Sequence, residues 1–197
     1  MDKIKLENIF AAVSEKSILD PLLAVLDPKE VKFWGTEGTI RYLKSKGFWA
    51  KSVVSGFDFD GRVKTLDRTI FIRILADRSK KRHILELSKL ASQGEALRGW
   101  RAGMGPFDLI IVDLYNLDNN NFPESMDIGG QALIRAAIKN YQNVAVAFDS
   151  KSIHDLVSEF RKNGGSITLK FRKAQAKKAA NFIAQRTKLE SRILKHE

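Results

Sequence analysis

Cysteine is missing from this 197-residue chain, which excludes a disulfide framework, Fe–S clusters and thiolate zinc sites. Its three histidines, His83, His154 and His196, are scattered without metal-ligand spacing, so metal chemistry has little to stand on. No apolar run approaches the roughly 18 residues of a membrane span, and the opening MDKIKLENIF lacks the apolar core of a signal peptide. Internal repeats, low-complexity segments and Pro/Gly-rich linkers are also lacking. One soluble, cytoplasmic domain over residues 1–197, with no metal and no membrane partner, is the expectation.

Acidic residues are scarce at one end. From Lys151 onward there are twelve Lys and Arg against four Asp and Glu, so this segment holds most of the net charge of +11. Within it Phe171, Ala179, Phe182, Ile183, Leu189 and Ile193 recur at near-helical intervals, which predicts an amphipathic basic helix over 168–197. The spacing favours a solvated face on a helix packed against the core or a dimer partner. No RNA- or DNA-binding module accompanies it, so nucleic acid is the weaker reading.

What is present alternates β-rich runs with helical periods. IFAAV (9–13) is followed by SEKSILDPLLAVL, where Ser14 is a candidate cap, and VKFWG (31–35) leads into TEGTIRYLKSKG, a helix stopped by Gly47. FDLIIVDLY (107–115) reads as a strand covered on both faces. After it come NLDNNNFPES (116–125), a turn-rich and mobile segment, a helix from the DIGG block, NVAVAF, and the helical SIHDLVSEFRKNGG. SKKRHILELSKLASQGEALRGWRAGMG is partly helical and carries no chemical signal. The order predicts a three-layer α/β fold: a mostly parallel sheet with helices on both faces.

Ligands of such sheets settle beyond the carboxyl ends of the strands, here the turns after Val13, Gly35, Val54 and Tyr115. Ser14, Lys16 and Ser17 follow the first, Thr36, Gly38 and Thr39 the second, and Arg62, Lys64 and Thr65 the third. Hydroxyls, a close-approach glycine and helix N-termini suit a phosphate, although Ser14 and Thr36 also fit as plain N-caps. In MDIGGQALIRAAIKNY the acid Asp127 precedes two glycines and Lys139 follows along a helix. Asp127 alone fits an N-cap, Lys139 a C-terminal dipole partner, Tyr115 a core residue with a wet hydroxyl, and Lys64 a solvated loop charge.

Taken together, SEKS, GTEGTIRYL, SGFDFDGRVKTL, VDLYNL and MDIGGQALIRAAIKN resemble, in order and approximate spacing, the IMP cyclohydrolase domain of the bifunctional purine biosynthesis protein. GRVKTL and DIGG followed by IRAAIKN are the most specific blocks. The resemblance runs from about Ile9 to the C-terminus and implies a methylglyoxal-synthase-like fold and a homodimer. It implies ring closure of 5-formamidoimidazole-4-carboxamide ribonucleotide to IMP and water, without a cofactor. It leaves no length for the family's folate-dependent transformylase, which would be a separate partner. The resemblance assigns phosphate and ribose contacts to Ser14, Lys16, Ser17, Thr36, Gly38, Thr39, Arg62, Lys64 and Thr65, and base contacts to Asp113, Ile128 and Gly129. It assigns reactive roles to Lys64, Tyr115, Asp127 and Lys139: Lys139 and the N–H groups near Ile128 and Gly129 on an oxyanion, Asp127 on the amide proton, Lys64 and Tyr115 as relays.

The chain departs from the family at Glu37, where a glycine is usual, at Asp67 and Arg68, where His-Pro is usual, and at Asp113, where Asn is usual. A carboxylate at 37 repels phosphate unless it faces solvent or pairs with Arg41 or Lys16. The alternatives left open are a purine-nucleotide-binding paralogue without turnover and a phosphate lyase of the methylglyoxal synthase kind.

Overall fold

The structure, a computed structural model, describes residues 2–53, 63–92 and 105–195. Its strands are β1 (Lys3–Lys5), β2 (Asn8–Ala12), β3 (Lys32–Gly35), β4 (Trp49–Ser52), β5 (Leu109–Val112), β6 (Ala145–Ala147) and β7 (Ser166–Thr168). Its α-helices are α1 (Asp20–Leu23), α2 (Glu37–Ser45), α3 (Arg68–Leu75), α4 (Lys81–Ser92), α5 (Ile128–Lys139), α6 (Ser150–Lys162) and α7 (Leu169–Ile193). Five strands form one parallel sheet in the order β4-β3-β2-β5-β6, in register Ile9 to Phe33 and Leu109, and Leu109 to Ala145. β1 and β7 make a separate antiparallel pair.

The strands β2, β3, β5 and β6 are largely apolar on both faces because both are covered, while the edge strand β4 leaves Trp49 exposed and carries Lys51 and Ser52. Ile9, Ala11, Phe33, Leu109 and Ile111 point into one core with Leu22, Leu43, Ile153 and Leu156 from α1, α2 and α6. The alternate residues Phe10, Trp34, Ile110 and Val112 point into the other, with Ile70 and Ile74 of α3, Leu133 and Ile134 of α5, and Ala179 and Ile183 of α7. This period of two with no polar face is why β5 reads as an uninterrupted apolar run. The second core also holds Arg73, whose guanidinium stacks 4.1 Å from the Trp34 ring and 3.8 Å from Phe107. Burial lowers its pKa to about 9, opposed by the charge of Asp108.

The helices begin and end where local chemistry dictates. Asp149 accepts from Ser152 N at 2.6 Å while its own N–H donates to Ser152 Oγ at 2.9 Å, a reciprocal cap that opens α6. α2 stops at Gly47, whose φ of +84° lets the Gly47 and Phe48 N–H groups turn back to the carbonyls of Lys44 and Leu43. Ser14 is not a cap: Glu15 takes that place, accepting from Ser17 N. α7 runs for 25 residues along α5 and β6. Its buried Arg172 donates to the carbonyls of Tyr141 and Gln142 just past the C-terminus of α5, at 3.1 and 2.8 Å, and to that of Ile167 in β7 at 2.8 Å.

At the foot of the sheet Asp108 is only 3% exposed. It accepts from Glu7 N at 2.9 Å, from Asn8 N at 2.6 Å, and from the Arg78 guanidinium, which also holds the carbonyls of Phe107 and Asn143. Burial pushes the Asp108 carboxyl up, opposed first by Arg78 and then by the two N–H groups. Asp108→Ala leaves all three donors facing an apolar wall and is expected to cost about 3 to 5 kcal/mol. Urea unfolding checks this; a loss under about 1 kcal/mol makes the pair incidental.

Candidate active site

A cavity of about 480 Å³ opens at the carboxyl ends of β2, β3 and β5, against the N-terminus of α5. Its floor is built from the strand ends. Ala12 pairs in register with Val112, so the next residues, Val13, Ser14 and Asp113, emerge side by side and all line the space. The Asp113 carboxylate takes the Ser14 N–H in a short bond and the Glu15 N–H at 3.0 Å. Asp113 thus ties two strand ends together and contributes a negative wall to the cavity.

The predicted phosphate turn is already bonded within itself. Lys16 Nζ donates to the carbonyls of Val13 and Ser14 at 2.5 and 2.7 Å, and Ser17 donates from both N and Oγ to Glu15 Oε1 at 3.1 and 2.8 Å. Neither Lys16 nor Ser17 lines the cavity, whereas Ser14 and Thr36 do. Gly38 sits beside Lys16, 3.6 Å from Cε to its virtual Cβ. Thr39 is fully buried, and its hydroxyl accepts from Val13 N at 3.1 Å. That threonine holds the end of β2 in place; it is not exposed to a ligand, contrary to the expectation. Glu37 is exposed and, among the described residues, makes no ion pair with Arg41 or Lys16; as the first residue of α2 it complements the helix dipole.

The third turn falls partly outside the described residues, and Arg62 with it. Lys64 and Thr65 do line the cavity. Thr65 leans on α5 so closely that a Cβ on Gly129 would stand 2.2 Å from its Oγ1. Only glycine at 129 lets this turn close against the helix. The departures at 67 and 68 lie away from the cavity: Asp67 caps α3 by accepting from Thr69 N at 2.7 Å, and Arg68 opens that helix and lines a groove between α3 and α4.

Asp127 caps α5 and faces the cavity, with Oδ1 accepting from Gly130 N at 2.6 Å. A Cβ on Gly130 would meet the other carboxylate oxygen at 2.4 Å, so the carboxylate folds back over the helix start because no side chain stands there. Ile128 and Gly129 occupy the first turn, where N–H groups have no intrahelical acceptor and the helix dipole is positive. Burial pushes the Asp127 carboxyl above its ordinary range; the Gly130 N–H and the charge of Arg186 oppose this, and Asp113 adds to it. Tyr115 also lines the cavity. Its phenol is pushed up, first by desolvation and then by the charges of Asp127 and Asp113, so it is held protonated at neutral pH.

Lys139 is not in this cluster. It is the last residue of α5, whereas Asp127 precedes the first, and twelve residues of helix set them ~18 Å apart. It is exposed and does not line the cavity. The ammonium expected from Lys139 is therefore not at this cavity, and Lys64 is a lysine that lines it. Pro123 and Glu124 of the 116–125 segment, and Met126 just after it, also line the cavity, although none of the three was singled out as a site residue. The segment's position directly after a strand end was the only signal for them. Among the described residues no group of three or more His, Cys, Asp or Glu could hold a metal, and no helix is long and apolar enough to cross a membrane.

No protein-family model matches the chain. It is similar to the bifunctional purine biosynthesis protein PurH of Brucella anthropi, Brucella ovis and Brucella canis, each 32% identical over 195 positions. Each match covers 93% of this chain and 34% of the relative, so the chain spans about a third of the length of the curated relatives it matches. A crystal structure of ForH superposes with a TM-score of 0.73 at 26% identity, covering 95% of this chain and 96% of that one. Similar to PurH in sequence and to ForH in three dimensions over nearly its whole length, and built as the methylglyoxal-synthase-like α/β fold, the chain is a PurH-like domain.

Proposed function

We propose that the chain is an enzyme of purine biosynthesis, an IMP cyclohydrolase that closes 5-formamidoimidazole-4-carboxamide ribonucleotide to IMP. The observation that carries the reading is the convergence of Lys64, Tyr115, Asp127 and the first turn of α5 on one cavity at the strand ends. The substrate comes from a transformylase. Ring closure needs orientation and proton movement: the carboxamide nitrogen bonds to the formyl carbon, gives up a proton, and the carbonyl pair moves onto oxygen. That oxygen is protonated and leaves as water while the formamido nitrogen loses its proton and the C=N bond forms.

Asp127, partly buried at the helix start, accepts the amide proton. The N–H groups of Ile128 and Gly129 and the Lys64 ammonium meet the oxyanion, in a place where the helix dipole favours negative charge. Tyr115, protonated at neutral pH, supplies the proton with which the hydroxyl leaves. Lys139 has no part in this scheme, and the oxyanion role falls to Lys64. Much of the acceleration is then orientation of two groups of one molecule.

A second reading, a nucleotide-binding paralogue without turnover, draws on Asp113, whose carboxylate occupies the Ser14 and Glu15 N–H groups that a phosphate would use, and on the acid Glu37 at the head of α2. Either reading puts an anionic nucleotide against a carboxylate wall. Asp113→Asn is expected to tighten IMP binding by roughly tenfold, equivalent to about 1.4 kcal/mol. Weaker binding in a titration would show that the ligand relies on that charge.

Ring closure followed by ultraviolet absorbance separates the readings. Asp127→Asn and Lys64→Ala are expected to lower kcat by about 100-fold or more, while Lys139→Ala leaves it unchanged. Wild-type protein at the uncatalysed rate sinks the enzyme reading. Because the base is active when ionised, kcat/KM rises with pH through the Asp127 midpoint, which burial places above the ordinary aspartate value of 3.8. An acidic limb at or below that value assigns the base elsewhere.

A further inference from the structure

The end of α7 lies against the start of α5, on the far side of the cavity wall. Gln131 Nε2, one turn into α5, donates to Glu190 Oε1 on α7 at 2.7 Å. One turn earlier on α7 stands Arg186, whose side chain is 10% exposed and whose Nε is 3.5 Å from the same Glu190 oxygen. Neither its Nε nor its Nη2 has a hydrogen-bond partner. A guanidinium enclosed in this way is costly unless negative charge compensates it. Glu190 is one such charge, itself only 6% exposed and shared with Gln131. The other is Asp127, one turn before Gln131 on α5, whose carboxyl the charge of Arg186 draws down.

Arg186 does not line the cavity, so it does not touch a ligand there. The groups around Asp127 come from every neighbouring element. Asp113 stands after β5 with Tyr115 just beyond it, Lys64 and Thr65 come from the turn before α3, the Gly130 N–H from its own helix, and Arg186 with Glu190 from α7. Burial and Asp113 favour the neutral carboxyl, and against them act the Gly130 N–H bond and Arg186. Of those two opposing influences, Arg186 is the one that carries a full charge.

We propose that Arg186 is a positioning residue for Asp127: an enclosed guanidinium on α7, paired with Glu190 and through it with Gln131 at the head of α5, that sets the charge environment of the Asp127 carboxylate from behind the cavity wall. Its kinetic consequence rests on the ring-closure reading; the charge coupling itself does not.

The coupling is measured on the full chain by following the Asp127 side-chain carboxyl through a pH titration by ¹³C NMR. Arg186→Gln is expected to raise the midpoint by about one unit, the low end of what a nearby opposite charge produces. Arg186→Lys, which keeps the charge, holds it near the wild-type value. Glu190→Gln, which releases Arg186 from its competing partner, shifts it in the opposite direction and provides an independent test if Arg186→Gln does not fold. A midpoint unmoved in both Arg186→Gln and Glu190→Gln overturns the proposal, as does an upward shift in Arg186→Lys equal to that in Arg186→Gln. In the ring-closure assay the acidic limb of kcat/KM moves with the midpoint, and kcat falls more than KM changes. If the midpoint shifts while wild-type protein closes no ring, the role of Arg186 stands and the reaction proposed above falls.

Discussion

The structure is organised by an aspartate at each end of one buried strand. The four residues of β5 are covered on both faces, so no polar group can sit within them, and the chain meets polar chemistry only at Asp108 below and Asp113 above. Both carboxylates reach across to the same neighbour, β2, and both hold two consecutive backbone N–H groups: Glu7 and Asn8 at the foot, Ser14 and Glu15 at the head. The lower aspartate is sealed in and neutralised by Arg78. The upper one opens onto the cavity and, among the described residues, holds backbone N–H groups and no such cation, so the device that aligns the strands at one end sets the electrostatic character of the cavity at the other.

The parallel sheet was legible because β5 and β6 are buried on both sides, which turns FDLIIVDLY and NVAVAF into apolar runs that no amphipathic element would show. The predicted strand over 107–115 is longer than β5, since the aspartates that seemed part of the run are where its ladder ends. β1 and β7 left no readable pattern: three residues each are too few for a period of two, and they are paired only because the fold brings Lys3 beside Thr168. The stop of α2 at Gly47 was readable from one residue because a positive φ there is a local requirement.

The site was legible as a set of turns but not as a set of side-chain partners. Thr65, Asp127 and Gly129 come together on one cavity, and the proximity of Thr65 is by itself a reason for glycine at 129. Lys139 shows the limit of motif reading. DIGG and IRAAIKN stand in one block, yet a helix converts twelve residues into a physical separation between its ends. Spacing also gave no hint that Lys16 and Ser17 would be engaged by their own turn, because the acceptors are the backbone of Val13 and Ser14 and the side chain of Glu15. The basic excess of the last quarter of the chain proved to be mixed: much of it is solvated, but Arg172 and Arg186 are inside, each at one end of α5.

That last arrangement makes α7 a splint. It grips the carbonyl groups beyond the tail of α5 through Arg172, and the head of α5 through Glu190 and Gln131, so a single rod sets the pitch of the helix whose first turn walls the cavity. Helices fray from their ends, and the end of this one is only a few residues past Glu190. Thermal loosening of its final turn therefore reaches the cavity wall sooner than it reaches the sheet, giving the molecule a soft spot beside the first turn of α5.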